Sequence, residues 1–202
     1  MKDEHNLPTA YKKIKAIKKH IEDEEIKKTL NRFTYRYRIA RAFKGINAPD
    51  IGDRTLKGYA AGMRLMLAYS AFEEIRKSGN AIKKIKSKQA DHRKIENTNL
   101  ASRLRDNEEL KTLLKLSSTV KNKTLVENVD LFFLNQNDDV MCIATALRHT
   151  FAHGDFTAAG AGLTTKRKQK QVDELTNAVL DMTDDIALEC VSQLENKLKA
   201  KQ

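Results

Sequence analysis

Apolar residues recur at helical spacing along almost the whole chain, and this periodicity limits the fold more than any other feature. Between residues 26 and 40, and again between 172 and 186, they return every three or four positions, which is typical of a helix with one buried face. The 202 residues contain only two prolines, and strand-like alternation is nearly absent. The sequence therefore predicts an all-α fold: a single domain over residues 1–202, an up-and-down bundle of about six to eight helices.

Helix ends are expected where glycine, proline and polar residues interrupt the apolar pattern. The loop over 45–53 is the clearest interruption. The helix over 54–79 is apolar on nearly all sides through its middle, so it is expected to be the central core helix. The other expected segments are one or two helices over 9–44, a short helix and an exposed connection over 80–97, short helices around 100–116 and 124–134, a helix over 138–153, a mobile loop over 154–167 and a C-terminal helix over 168–199.

The positive charge of the chain is concentrated in its first half. The formal net charge is +11. Residues 1–100 hold 24 Lys and Arg against 12 Asp and Glu, whereas residues 101–202 hold 14 against 15. Such an asymmetry indicates a polyanionic partner, most often a nucleic acid. The alternative that the composition leaves open is a basic surface that only faces water.

Nothing in the sequence indicates secretion, a membrane or a bound cofactor. The two cysteines, Cys142 and Cys190, are too few for a disulfide framework, so reduced thiols are expected. The first residues, MKDEHNLPTAYKK, lack the apolar run of a signal peptide, and no stretch approaches the roughly 18 apolar residues of a membrane span. His149 and His153 have the spacing of zinc ligands, but Thr150 stands where an HExxH motif needs Glu. A cytoplasmic protein without cofactors is therefore expected.

The segment ALRHTFAHGDF, residues 146–156, brings an arginine and two histidines to the end of a predicted helix. On a helical wheel of about 100° per residue, Arg148, His149 and His153 turn away from the apolar stripe of that helix, as does Thr145. Their neighbours in this arc are Met141, Cys142, Ala146 and Ala152. A solvated face would carry Lys and Glu instead, so we expect another helix or a second subunit to cover the arc.

A purely structural role for these side chains is the alternative. A histidine at the C-terminal end of a helix is stabilised by the helix macrodipole, and Arg148 would then pair with a carboxylate.

The run LRHTFAHG, residues 147–154, resembles the R-x4-6-H signature of the HEPN superfamily (higher eukaryotes and prokaryotes nucleotide-binding domains). The match includes the polar residue after Arg148 and the glycine after His153. The segment YSAFEEI, residues 69–75, is similar to an earlier core helix of such domains. The resemblance implies a helical bundle that often dimerises across the motif face.

Many HEPN members are metal-independent endoribonucleases, and some of these are toxins or defence RNases. The resemblance therefore also implies this activity for the chain. Carried over, His153 is the general acid and base, Arg148 clamps the phosphate, and His149 orients His153 or contacts phosphate. Glu73 and Thr145 are the supporting residues that we would test, whereas Glu74 is expected to be a solvated charge. The implied partners are RNA, a second copy of the chain and a small nucleotidyltransferase antitoxin.

A basic and aromatic run over residues 31–45 is a second candidate for RNA contact. Arg32, Arg36 and Arg38 are expected to bind phosphates, although they would also serve to cover a core stripe. Lys166 and Arg167 are expected to hold RNA near the end of the motif helix. The functions left open beside the nuclease are therefore a non-catalytic nucleotide-binding or dimerisation module of the same fold, and an RNA-binding protein that acts through its first half.

Overall fold

The computed structural model describes residues 8–83, 93–116 and 122–200, and it confirms the all-α prediction. The α-helices in these ranges are α1 (Thr9–Ile17), α2 (Glu24–Ala42), α3 (Asp53–Lys83), α4 (Thr98–Arg105), α5 (Glu108–Leu116), α6 (Lys123–Phe133), α7 (Val140–Ala152) and α8 (Lys166–Lys199). A short 3-10 helix, Lys18–His20, follows α1. Within the described ranges the only β pairing is an isolated bridge between Glu96 and Asp139. No described helix is both long and apolar enough to cross a bilayer.

Most predicted boundaries agree with these helices to within a few residues, and α3 is the main exception. The sequence predicts its end at residue 79, but the helix continues to Lys83. Ser78 is fully buried there, and Gly79 faces the Sγ atom of Cys190, so packing outweighs the weak helix propensity of this stretch. The short helix predicted over 80–97 falls largely on residues 84–92, which lie outside the described residues.

The helices form two compact units. Unit 1 contains residues 1–42, 70–92 and 180–202, and unit 2 contains residues 43–69 and 93–179. Helices α3 and α8 each contribute one part to unit 1 and the other part to unit 2. The single domain over 1–202 stays a prediction.

Unit 1 has an apolar core that surrounds the aromatic residues of α2. Tyr37 is fully buried and packs against Tyr11 and Phe33, with ring centroids 6.0 and 5.3 Å away. Its hydroxyl donates a hydrogen bond to the carboxylate of Asp184, which also accepts one from Arg41 at 2.9 Å. Burial, together with the Asp184 hydrogen bond, raises the pKa of Tyr37, so the hydroxyl remains a donor. The carboxylate of Asp184, paired with Arg41, thus gives the buried hydroxyl of Tyr37 the hydrogen-bond partner that it needs.

Glu74 is buried in unit 1, so its expected role as a solvated charge is wrong. Only 2% of its surface is exposed. Its Oε1 atom accepts from Arg36 at 3.0 Å and from Lys77 at 3.1 Å. A buried carboxylate needs such partners because losing hydration costs more than an isolated charge can recover. Arg36, predicted to bind RNA, therefore stabilises the unit through Glu74.

In unit 2, a partly buried hydrogen-bond network positions the start of α7. Arg105 donates to the backbone carbonyls of Phe132 and Asn137 and to the carboxylate of Asp138. The hydrogen bond from Arg105 holds the pKa of Asp138 below its usual range. The next residue, Asp139, is the N-cap of α7 and accepts from the backbone N–H of Met141 and of Ile95. The motif helix thus begins at a capped and ion-paired corner.

Two glycines of α3 allow a close approach by the connection between α7 and α8. A Cβ atom at Gly58 would lie 2.6 Å from the carbonyl oxygen of Leu163. A Cβ atom at Gly62 would lie 2.7 Å from the ring of Phe156 and 3.0 Å from that of Phe151. Any larger residue at these positions would push the connection away from α3.

The connection over residues 154–165 is packed, which corrects the mobile loop predicted over 154–167. Four of its apolar residues are buried: Phe156, Ala158, Ala161 and Leu163. Phe156 also contacts Phe151 of α7 at a centroid distance of 4.8 Å. The sequence pattern suggested mobility because the segment is rich in glycine and alanine, but the small residues serve close packing here.

We expect Gly58→Ala to lower the free energy of unfolding by about 1–3 kcal/mol, since the new methyl group meets backbone atoms. Alanine is the better helix former by about 1 kcal/mol, and the clash is expected to outweigh that gain. Gly79→Ala in the same helix is the matched control, because its Cβ would lie at an ordinary 3.4 Å from the nearest atom, Sγ of Cys190. Urea denaturation followed by circular dichroism measures both. An equal effect of the two substitutions would contradict the close approach.

We expect Arg36→Ala to lower the free energy of unfolding by about 1–3 kcal/mol, because the buried Glu74 carboxylate loses its hydrogen-bonded arginine. Arg32→Ala, on the exposed side of the same helix, is the control and should change that free energy by less than about 0.5 kcal/mol. Chemical denaturation of both variants makes the comparison. If Arg36→Ala is as neutral as the control, the assigned role of Arg36 is wrong.

Candidate functional site

The candidate site lies at the C-terminal end of α7, where the structure places Arg148, His149 and His153. The helix is buried along most of its length, with Val140, Ile143 and Leu147 in the core of unit 2. Arg148 and His149 are half-buried, whereas His153 is exposed. Exposure therefore increases toward the helix end, where a ligand can reach the side chains.

A glycine and four backbone hydrogen bonds close the end of α7. His153 is the C-cap residue, and Gly154 follows with a left-handed φ of +80°. The N–H of Gly154 donates to the carbonyl of Phe151, and the N–H of Asp155 donates to that of Thr150. This pair of bonds is the Schellman arrangement, which favours glycine at the left-handed position. The stop predicted at Gly154 is confirmed, and it holds His153 at a defined point.

The two histidines of the motif stack on each other. Their ring centroids lie 6.2 Å apart, with an interplanar angle of 5°. This contact is expected for residues at i and i+4 on one helix face. The pair thus offers two nitrogen-bearing rings at an exposed helix end.

Arg148 has a different environment from the histidines. It lines a narrow crevice of unit 2 that is too small to hold a water molecule. The other lining residues are Gly62, Leu65, Met66, Leu147, Phe151, Phe156 and Val172. The aliphatic part of a half-buried arginine gains from such apolar contacts while its guanidinium stays close to the surface. The close approach of α3 at Gly62 therefore also positions Arg148.

The two supporting residues proposed from sequence differ in their relation to the motif. Thr145 lies on α7, one turn before His149, and its hydroxyl donates to the carbonyl of Met141 at 2.8 Å. The hydroxyl of Tyr69 lies 3.0 Å from that of Thr145. Thr145 thus joins α7 to α3 within unit 2. Glu73 is half-buried and belongs to unit 1, so its role beside the motif stays a prediction.

Most of the uncharged arc around the motif is covered within the chain itself. Met141, Cys142 and Ala146 are each 5% exposed or less, whereas Ala152 is exposed. Helix α6 packs against α7 in the same unit. A second subunit is therefore not needed to cover these residues, and the fully exposed part of the arc is the end around Ala152 and His153.

Cys142 is a buried thiol, as its position on the motif helix predicts. Its Sγ atom donates to the carbonyl of Asp139, and burial raises the pKa of the thiol to about 12. A thiol in this state is a poor nucleophile because almost none of it is thiolate near neutral pH. Within the described residues, no group of three His, Cys, Asp or Glu side chains is arranged to hold a metal ion.

The basic residues predicted to bind RNA lie in different places. Arg32 and Arg38 are exposed on α2 of unit 1, and Arg36 on the same helix pairs with Glu74. Lys166 and Arg167 begin α8 in unit 2 and are exposed. Arg167 lies 3.7 Å from the carboxylate of Asp106, an exposed pair of small energetic weight.

Sequence reasoning missed two cations that the structure brings beside Lys166. Arg54 and Lys57, in the first two turns of α3, line the same pocket as Lys166. They are more than a hundred positions away along the chain, and no spacing rule connects them. The only signal in the sequence for this pocket was a basic residue in the first turn of both α3 and α8.

Comparison with known proteins gives no family for this chain. A scan against models of protein families, a search of curated proteins and a search of solved structures each found no match. The geometry and chemistry of the chain's own residues therefore carry the functional inference.

Proposed function

We propose that this chain is a HEPN-like, metal-independent endoribonuclease that cleaves RNA by attack of a 2′-hydroxyl on the adjacent phosphate, in the manner of a toxin or defence RNase. The observation that carries the proposal is the stacked pair formed by the half-buried His149 and the exposed His153 at a capped helix end, with Arg148 directly before it. The residue types match the chemistry of RNA cleavage, and the excess of positive charge matches a polyanionic substrate.

RNA carries its own nucleophile, so the protein has to supply only proton transfer and charge stabilisation. In the proposed reaction, His153 removes the proton of the 2′-hydroxyl or donates one to the leaving 5′-oxygen. The new bond joins the 2′-oxygen to phosphorus as the bond to the 5′-oxygen breaks, which leaves a 2′,3′-cyclic phosphate and a 5′-hydroxyl. Two acid–base groups are needed for the two proton transfers, and His149 lies beside His153 to act as the second or to orient the first.

Arg148 is proposed to contact the phosphate whose negative charge grows in the transition state. A guanidinium offers two parallel N–H groups to the oxygens of one phosphate, which a lysine cannot do. Its stem lies in the crevice against α3, and this restricts the positions that the guanidinium can reach. Such restriction favours electrostatic stabilisation, because the donor loses little freedom when the substrate binds.

A second copy of the chain is proposed to join at the exposed end of α7, around Ala152 and His153. Two copies of the motif would then face one RNA-binding cleft, and a small nucleotidyltransferase is the antitoxin partner proposed from the resemblance. Measurement of the molar mass by light scattering tests the dimer. A monomer at concentrations that support cleavage would contradict it.

One observation favours a non-catalytic alternative, in which the fold acts as a nucleotide-binding or dimerisation module. Arg148 lines a tight apolar crevice, so part of its contribution is packing within unit 2. In that alternative the motif residues hold the helix end or a nucleotide without transferring protons.

We expect the wild-type chain to cleave mixed-sequence RNA in EDTA, and His153→Ala to lower the rate by about 10²–10⁴-fold, the range of general acid–base catalysis. Arg148→Lys should lower it by about 10²–10³-fold, since a bidentate donor is lost while the charge remains. His20→Ala, an exposed histidine of unit 1, is the matched control and should leave the rate unchanged. Gel separation of labelled RNA measures the rates, and circular dichroism verifies the fold of each variant.

The products and the substrate requirement complete this test. RNA fragments should end in a 2′,3′-cyclic phosphate, and 2′-O-methyl RNA should resist cleavage because its nucleophile is blocked. Absence of cleavage by folded wild-type protein would refute the nuclease and favour the binding module. Cleavage that survives His153→Ala and Arg148→Lys would refute the assignment of the site.

A further inference from the structure

A cationic pocket of about 360 Å3 lies in unit 2, where the N-terminal ends of α3 and α8 come together. It is lined by Arg54, Lys57, Thr164, Thr165, Lys166 and Gln169. Three of these side chains are positively charged at neutral pH and none is negatively charged. The pocket is distinct from the crevice at Arg148, with which it shares no lining residue.

Two hydrogen bonds from a side-chain amide to backbone carbonyls hold the walls of the pocket together. The Nε2 atom of Gln169 donates to the carbonyl of Leu163 at 2.8 Å and to that of Arg54 at 3.3 Å. The first turn of α8 is therefore tied both to the connection before it and to the start of α3. The contact between Gly58 and Leu163 tightens the same junction. The three cations are thus kept close by contacts in which their charged groups take no part.

None of the three cations forms an ion pair with any residue in the described ranges. Arg54, Lys57 and Lys166 are exposed, and their charges repel one another across the pocket. The N-terminal ends of both helices, which carry a partial positive charge, also lie at this junction. An anion that enters the pocket would relieve the repulsion and accept hydrogen bonds from guanidinium, ammonium and threonine hydroxyl groups.

The lining indicates which part of an anionic ligand is recognised. No aromatic side chain lines the pocket, so it offers no platform on which a base could stack. Lysine, arginine and threonine are typical contacts to the phosphate oxygens of a nucleic acid backbone. We propose that this pocket binds a backbone phosphate of a single RNA strand, and this inference rests on the proposed function because the strand is the nuclease substrate.

Helix α3 links the pocket to the candidate site. Lys57 lines the pocket, and Met66, nine residues later, lines the crevice of Arg148. At a rise of about 1.5 Å per residue the two lie roughly 14 Å apart along the helix axis. Along the axis of α3, this separation is within the length of a few nucleotides of an RNA strand. The pocket positions the substrate without reading its bases, which suits a nuclease of relaxed sequence preference.

Binding of a short 2′-O-methyl RNA of mixed sequence tests the pocket separately from cleavage, because this probe lacks the nucleophile. The double variant Lys57→Ala with Lys166→Ala is compared with Lys28→Ala with Lys123→Ala. Both pairs remove two exposed lysines and change the net charge equally. Fluorescence anisotropy at several salt concentrations measures the affinity, and circular dichroism verifies that both variants fold.

The pocket variant is expected to bind the probe about tenfold more weakly and to lower the salt slope by about one, the effect of a lost phosphate contact. The control variant should weaken binding by less than about twofold. Equal weakening by the two variants, or no binding of the probe by wild type, would overturn the proposal. If wild type binds the probe through the pocket but cleaves no RNA, the pocket proposal holds and the nuclease proposal fails. If wild type cleaves RNA but the two variants weaken probe binding equally, the nuclease proposal holds and the pocket proposal fails.

Discussion

The close packing of the α7–α8 connection on α3 is the constraint on which the candidate site in unit 2 depends. Gly58 and Gly62 leave no room for a Cβ atom, so backbone and aromatic rings of the connection lie directly on the helix. One end of that connection carries His153 and the other leads into Lys166. A single interface therefore positions the motif, the crevice around Arg148 and the cationic pocket. Dense packing of this kind transmits small displacements instead of absorbing them.

Unit 1 uses a different source of stability. It contains a buried carboxylate, Glu74, and a half-buried one, Asp184, each paired with an arginine of α2. Breaking such a pair leaves an uncompensated charge, which is why the arginines of α2 cannot all be free to bind RNA. The exposed members, Arg32 and Arg38, retain that freedom. The basic character of the first half of the chain thus has a structural component.

The resemblance in residues 147–154 and the geometry at the end of α7 point to the same residues by different arguments. The resemblance concerns residue types and their spacing, whereas the geometry concerns exposure, stacking and the cap at Gly154. The helix and its stop were predictable because they depend on local backbone preferences, whereas the exposure of His153 was not, since the arc that holds it was expected to be covered. The burial of Met141, Cys142 and Ala146 by the chain itself was not, because amphipathic patterns do not reveal which neighbour covers a face. That finding confines the proposed dimer to a smaller surface.

By itself the sequence determined the helical class, most helix boundaries and the position of the Arg-His motif, because periodicity, caps and breakers act over a few residues. Tertiary structure alone decided that Glu74 is buried against Arg36, that the glycine-rich connection is packed, and that Arg54 and Lys57 meet Lys166 at one pocket. These features join residues far apart in the chain. Their free energies depend on desolvation, close contact and charge repulsion between different helices, and a local sequence pattern carries no information about such long-range contacts.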